Sequence, residues 1–227
     1  MDESLPECTD QTFSSFTILD NIFSKFSNSS NYPNLKKIVA AGHSGGGQTI
    51  GRYALGSDVE EKFNKKGIEF MFLVANPSTS VYLDKTRPII ENDNKCDNLT
   101  IPDQIYHFYD ASEDFSLEVT CPEFNQWKYG LDNVNVYMTS GESLATKIDS
   151  FGRKHMLFVG GQADHCCSCT GEDSPYCCEC KSGSLDGTCS AELMGRCRLM
   201  RLHARLLHFA SKSKNLKGDS LELFICT

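Results

Sequence analysis

The stretch Lys36–Thr49, KKIVAAGHSGGGQT, sets a short apolar run directly against a serine enclosed by glycines. A run of strand length that stops at a glycine cluster and resumes as QTIGRYAL reads as strand, turn, helix. Two chemical templates fit the turn. Gly42, Ser44 and Gly46 match Gly-x-Ser-x-Gly, in which a sharp strand-to-helix turn projects the serine hydroxyl out of the sheet. A side chain at either flanking position is expected to collide with the neighbouring strand or helix, which explains the glycines. Gly42, Gly47 and Thr49 also match the phosphate-cradling Gly-x-x-x-x-Gly-Lys-Ser/Thr, but Gln48 stands in place of the lysine. Without that cation the loop lacks the charge that faces the outer phosphates, so the serine turn is the better fit. A glycine-rich connection with no chemistry is a third reading, because so short a motif also recurs by chance.

Working outward, Ser14–Lys25 and the following Phe26 place Phe16, Leu19, Ile22, Phe23 and Phe26 at helical spacing. NSSNYPN breaks that helix, and Lys37–Ala41 is expected to be a buried strand. Gln48–Leu55 should be the helix after the serine. Ile68–Ala75, IEFMFLVA, is a continuous apolar run suited to a parallel strand covered on both faces. From Asn76 to about Ser143 four prolines and many aromatics give an irregular pattern, read as a loop-rich, cap-like insertion. A helix around Glu142–Asp149 leads to a strand at His155–Gly160. Beyond a cysteine-rich segment, Cys189–Ala210 reads as a helix with Ser190 as N-cap, and Ser220–Cys226 as a last strand. Alternating strands and helices of this kind predict an α/β fold with a mainly parallel sheet.

The chain has 227 residues, 40% of them hydrophobic, enough to bury a core, and is read as one domain over 1–227. Within it lie the cap-like insertion, 76–143, and a cysteine-rich loop, 165–189. A net charge of -8 argues against a nucleic-acid partner. No apolar run reaches the roughly 18 residues of a membrane span, and MDESLPECTD lacks the features of a signal peptide. Twelve cysteines, an even number, and the sequons at Asn28 and Asn98 nevertheless point to an extracellular or secretory setting.

GHSGGGQTIGRYA at the turn, VANPSTSVYLD after the next strand, NQWKYGL, VGGQAD and LDGTCSAELMGRCRLMR together resemble the α/β-hydrolase superfamily, in a serine esterase- or lipase-like branch. The resemblance implies a partial α/β-hydrolase fold with Ser44 as nucleophile and Gly45 giving one backbone N–H to the oxyanion hole. Asp164, just past the strand that ends VGGQAD, takes the place of the acid that orients a histidine. That histidine should follow the final strand, yet SLELFIC is followed only by Thr227. Few residues precede Lys37, where the superfamily places several strands. The chain is therefore read as the carboxyl-terminal half to two-thirds of a hydrolase domain, short of its general base. His43, His107, His155, His165, His203 and His208 all make poor substitutes on sequence grounds.

Asp164 runs into HCCSCTGEDSPYCCECKSGSLDGTC. Cys166 with Cys169 and Cys177 with Cys180 have the Cys-x-x-Cys spacing of zinc ligands, but the short interval and the extra vicinal cysteines favour a disulfide-stapled loop, with no metal or other cofactor. Trp127 and Tyr129 could line a pocket, although packing is the commoner fate of aromatics. Arg52 is expected to be structural, bonded to carbonyls or a carboxylate. The function implied is hydrolysis of a small-molecule ester or amide acyl substrate through Ser44, with the histidine supplied by a longer chain. The alternative is a non-catalytic secreted binding or structural protein that keeps the fold.

Overall fold

The computed structural model describes residues 14–90, 106–113, 121–161, 202, 204–209 and 221–226. In chain order its elements are α1 (Ser15–Phe26), β1 (Lys37–His43), α2 (Gly45–Gly56), α3 (Val59–Asn64), β2 (Glu69–Ala75), β3 (Thr86–Ile90) and β4 (Tyr106–Asp110), then a single 3₁₀ turn (Ala111–Glu113), α4 (Val136–Thr139), α5 (Leu144–Phe151), β5 (Met156–Gly161) and β6 (Leu221–Cys226). Residues 204–209 are helical as well. Strands β1, β2, β5 and β6 form a parallel sheet in that spatial order. The chain is thus a mixed α/β fold, as its alternating pattern predicts.

Each expected strand and helix around the glycine turn is present, with ends shifted by a few residues. Capping accounts for the clearest shift. Ser143 accepts a hydrogen bond from the Thr146 backbone N–H at 3.2 Å, so α5 starts there rather than at Glu142. Ser14 caps α1 in the same way through Phe16.

Burial differs from the expected two-sided cover. Ala40, Phe70, Phe72, Val74, Met156 and Phe158 form one face of the sheet, packed with Phe16 and Phe23 of α1, Ile50 and Tyr53 of α2, Phe63 of α3, Phe151 of α5 and Phe209. On the opposite face Met71, Leu73, Leu157 and Val159 are only half-buried, and Val39 is 45% exposed. Among the described residues β1 is also an edge strand, with only Ala40 buried. An all-apolar run signals a strand but carries no period to say which faces neighbours will cover.

The irregular region 76–143 holds two elements that the sequence pattern hid. β3 and β4 form a separate antiparallel pair in which Pro88 lies opposite Phe108. A proline argues against a strand interior, yet each strand of a two-stranded pair has one open edge, and a proline whose missing N–H would face that edge costs no ladder bond. The same region is also tied into the main core, through Val81 and Met138. Trp127 packs against that core and Tyr129 is buried with Tyr82, so both serve packing.

Candidate functional site

Ser44 stands between β1 and α2 at φ 54° and ψ -116°, outside the conformations that non-glycine residues ordinarily adopt. The surroundings hold it there. Its N–H donates to the Ala75 carbonyl at 2.9 Å, extending the β1–β2 pairing by one bond, and its own carbonyl receives the Gln48 N–H at 3.0 Å, which opens the helix. Ser44 makes no side-chain cap bond to the helix it precedes. Strain of this kind, over-determined by its neighbours, is characteristic of residues placed for chemistry.

The glycines around it are not equivalent. A Cβ on Gly42 would lie 2.2 Å from the Gly46 carbonyl oxygen, and one on Gly47 would lie 2.7 Å from the Ala75 oxygen. A Cβ on Gly46 would meet nothing within 4 Å. The expectation that both motif glycines are sterically required therefore holds at Gly42 and fails at Gly46, the second tight position being Gly47. The physical reason is the crossing of α2 over the end of β2, which brings Gly47 and not Gly46 against the sheet. Gly46→Ala should accordingly leave stability unchanged or raise it by about 0.5–1 kcal/mol, since alanine loses less backbone entropy in a helix. Chemical denaturation of the two proteins side by side measures this.

The loop after β2 is pinned to α2 by a polar network. Gln48 donates from Nε2 to Ser78 Oγ at 2.5 Å and accepts on Oε1 from Thr79 Oγ1 at 2.6 Å and from Arg52 at 3.1 Å. Arg52 also donates to Thr79 Oγ1 and to the Lys128 carbonyl, at 2.9 and 3.0 Å. These bonds join the three segments GGGQTIGR, NPSTS and NQWKY. Gln48 is thus occupied as a strut, which gives the phosphate-cradle template no support, and Arg52 has the structural role expected of it.

Because β1, β2 and β5 are parallel, their carboxyl ends share one edge of the sheet, and Asn76 ties that edge together. At φ 40° it donates its N–H to the Val159 carbonyl (2.9 Å), accepts the Gly161 N–H on Oδ1 (2.8 Å) and sets Nδ2 3.4 Å from His43 Nε2. The chain leaving Gly161 therefore starts beside the serine turn. Asp164, three residues on, lies outside the described residues, as do His165, His203 and the cysteines from Cys166 to Cys197, including Cys166, Cys169, Cys177 and Cys180. The helix expected over Cys189–Ala210 is described only at 202 and 204–209.

The described histidines have other employment. His208 is 1% exposed, accepts the Leu83 N–H on Nε2 at 3.3 Å and lies tilted against the Tyr82 ring. His155 sits just before β5, at the end of the sheet opposite Ser44, 3.7 Å from Glu69. His43 is exposed and faces Asn76. Of His107 only the backbone is described. Among the described residues no group of three or more His, Cys, Asp or Glu could hold a metal ion, and no helix is long and apolar enough to cross a membrane. Cys121 is buried and disulfide-bonded.

A cavity of about 790 Å³ lies at the far end of α2, lined by Ser57, Asp58, Glu60, Lys147 and Lys154. A twelve-residue helix separates it from Ser44 by about 18 Å, so it belongs to no chemistry at the turn. Its most buried charge, Lys154, caps α2 by donating to the Ala54 and Ser57 carbonyls, and burial brings its ammonium down to about 8. The neighbouring Glu60 carboxylate, which accepts the His155 N–H at 3.0 Å, is pushed above its ordinary value, also by burial.

Compared with known proteins, the chain matches no family model, no curated protein and no solved structure.

Proposed function

We propose that the chain is a serine hydrolase of α/β-hydrolase type, acting on an ester or amide acyl substrate through an acyl-enzyme on Ser44. The observation that carries this reading is the backbone of Ser44, a strained residue bonded into the sheet on one side and into a helix on the other, with a half-buried side chain. A connection needed only for chain reversal has no cause to hold a serine at positive φ, where glycine sits without cost. The N–H of Gly45 opens α2, in the position from which an oxyanion is stabilised after attack by the serine. The sheet order lends further support, since a parallel row β1-β2-β5-β6 brings the serine turn and the carboxyl ends of β5 and β6 to a common edge. In the proposal Asp164 orients a histidine that takes the serine proton and later returns it to the leaving group. The region 76–143 would form the cap, and the disulfide at Cys121 fits an oxidising compartment.

A fluorophosphonate probe applied to the complete protein, as its own cells make it, tests this. The wild type should be labelled and Ser44→Ala should not. A folded wild-type protein that takes no label at saturating probe would remove the catalytic reading and leave the non-catalytic secreted protein in its place.

A further inference from the structure

Of the two Asn-x-Ser/Thr sequons in the chain, Asn28-Ser29-Ser30 lies within the described residues, in the connection from α1 to β1. Asn28, Ser29 and Ser30 are all exposed, and so are residues 31–34 after them. The backbone there is held from both sides. The Asn28 N–H donates to the Lys25 carbonyl at 3.4 Å, and its own carbonyl accepts from the Asn31 and Tyr32 N–H groups at 3.1 and 3.0 Å.

The side chain, by contrast, is engaged at one end only. Oδ1 accepts the Ser30 N–H at 3.0 Å, and because a backbone N–H can only donate, this bond tells the oxygen of the amide from its nitrogen. Nδ2 has no hydrogen-bond partner among the described residues. Attaching a sugar to asparagine replaces one hydrogen on that nitrogen and keeps the carbonyl, so the Ser30 bond would survive the change. Exposure of the whole segment leaves room for a bulky, hydrated group. The site is also remote from the serine turn, since the connection enters β1 at Lys37 while Ser44 leaves it at the other end, about 23 Å of strand away.

We infer that Asn28 is an acceptor site for an N-linked oligosaccharide. The donor class is an oligosaccharide carried on a lipid pyrophosphate. Nδ2 attacks C1 of the first sugar, the N–C1 bond forms as the C1–O bond to pyrophosphate breaks, the lipid pyrophosphate departs and one amide proton passes to a base. This inference rests on the secretory setting proposed above and is independent of any chemistry at Ser44.

The complete protein, purified from its own cells, tests it peptide by peptide. Treatment with peptide-N-glycosidase in heavy-oxygen water turns a glycan-bearing asparagine into isotope-labelled aspartate, and Asn28 should take that label. The label should be lost in Ser30→Ala, which breaks the sequon but keeps both the Asn28 amide and its bond to the backbone N–H of residue 30. An unmodified Asn28 in the wild type would overturn the site, as would a label that persists in Ser30→Ala. A glycan on Asn98 with none on Asn28 would remove this site alone, whereas none on either would remove the secretory setting with it. Labelling of Ser44 by the fluorophosphonate probe enters none of these outcomes.

Discussion

Gly42→Ala should cost at least about 3 kcal/mol of folding stability, the upper end of what overpacking ordinarily costs. The added methyl would sit 2.2 Å from the Gly46 oxygen and 2.3 Å from its carbonyl carbon, and both are backbone atoms in the first turn of α2. No side chain can rotate away to make room. Relief would require the helix to lift from the end of β1, which would stretch the bond between Ser44 and Ala75 and the network through Gln48. For a chain of this length the loss corresponds to a fall in melting temperature of roughly 6–12 °C. Urea denaturation with an unchanged slope would attribute the loss to the folded state. A loss below 1 kcal/mol would mean that α2 does not cross Gly42 as described. Gly46→Ala, four residues along the same motif, supplies the internal comparison, because the two substitutions add the same methyl.

The second large effect is at Lys154. Lys154→Met removes the cation that caps α2 and leaves the Ala54 and Ser57 carbonyls without their donor and Glu60 without its nearest positive neighbour. Breaking a buried charge cluster on one side typically costs about 3–5 kcal/mol, and the methionine recovers part of that by packing against Phe72, so a net loss of about 2–3 kcal/mol is expected at pH 7. The pH dependence separates the mechanisms. Burial lowers the ammonium from its ordinary 10.5 to about 8 in the folded protein. Between these values the unfolded chain holds a proton that the folded chain has released, so rising pH favours folding. Wild-type stability should therefore climb across pH 8 to 10.5 relative to Lys154→Met, by up to roughly 3 kcal/mol, while below pH 8 the difference between the two proteins stays level. Urea midpoints at intervals of pH check this. A difference that is flat from pH 7 to 10.5 would show that the lysine is far better solvated than its surroundings imply.

These two positions differ in how far the sequence reveals them. Gly42 stands inside a motif whose geometry dictates a glycine, so its importance can be read from the letters around Ser44. Lys154 appears in RKHMLF as one more charge before an apolar strand, and nothing there announces that the turn after α5 folds it under the end of α2, a hundred residues away in the chain. Much the same contrast runs through the whole molecule. The expected strands and the helices α1, α2 and α5 follow from local periodicity and caps, which depend on neighbours within a turn or two. The pairing of β3 with β4 was hidden by Pro88, whose tolerance depends on the strand having no second partner.

For the site, the sequence by itself determined the identity of the turn, its nucleophile candidate and the order in which Ser44 and the strand leading to Asp164 occur. The tertiary structure decided which glycine is tight, that Gln48 is a strut and no phosphate ligand, and that Asn76 binds three strand ends together. It also decided that Trp127 and Tyr129 pack instead of lining a pocket, and that His208 is engaged in the core. The reason is the range of the forces involved. Backbone propensity and side-chain period act over a few residues and leave a mark in the letters, whereas steric contact, burial and the satisfaction of a buried donor depend on atoms brought together only when distant segments meet.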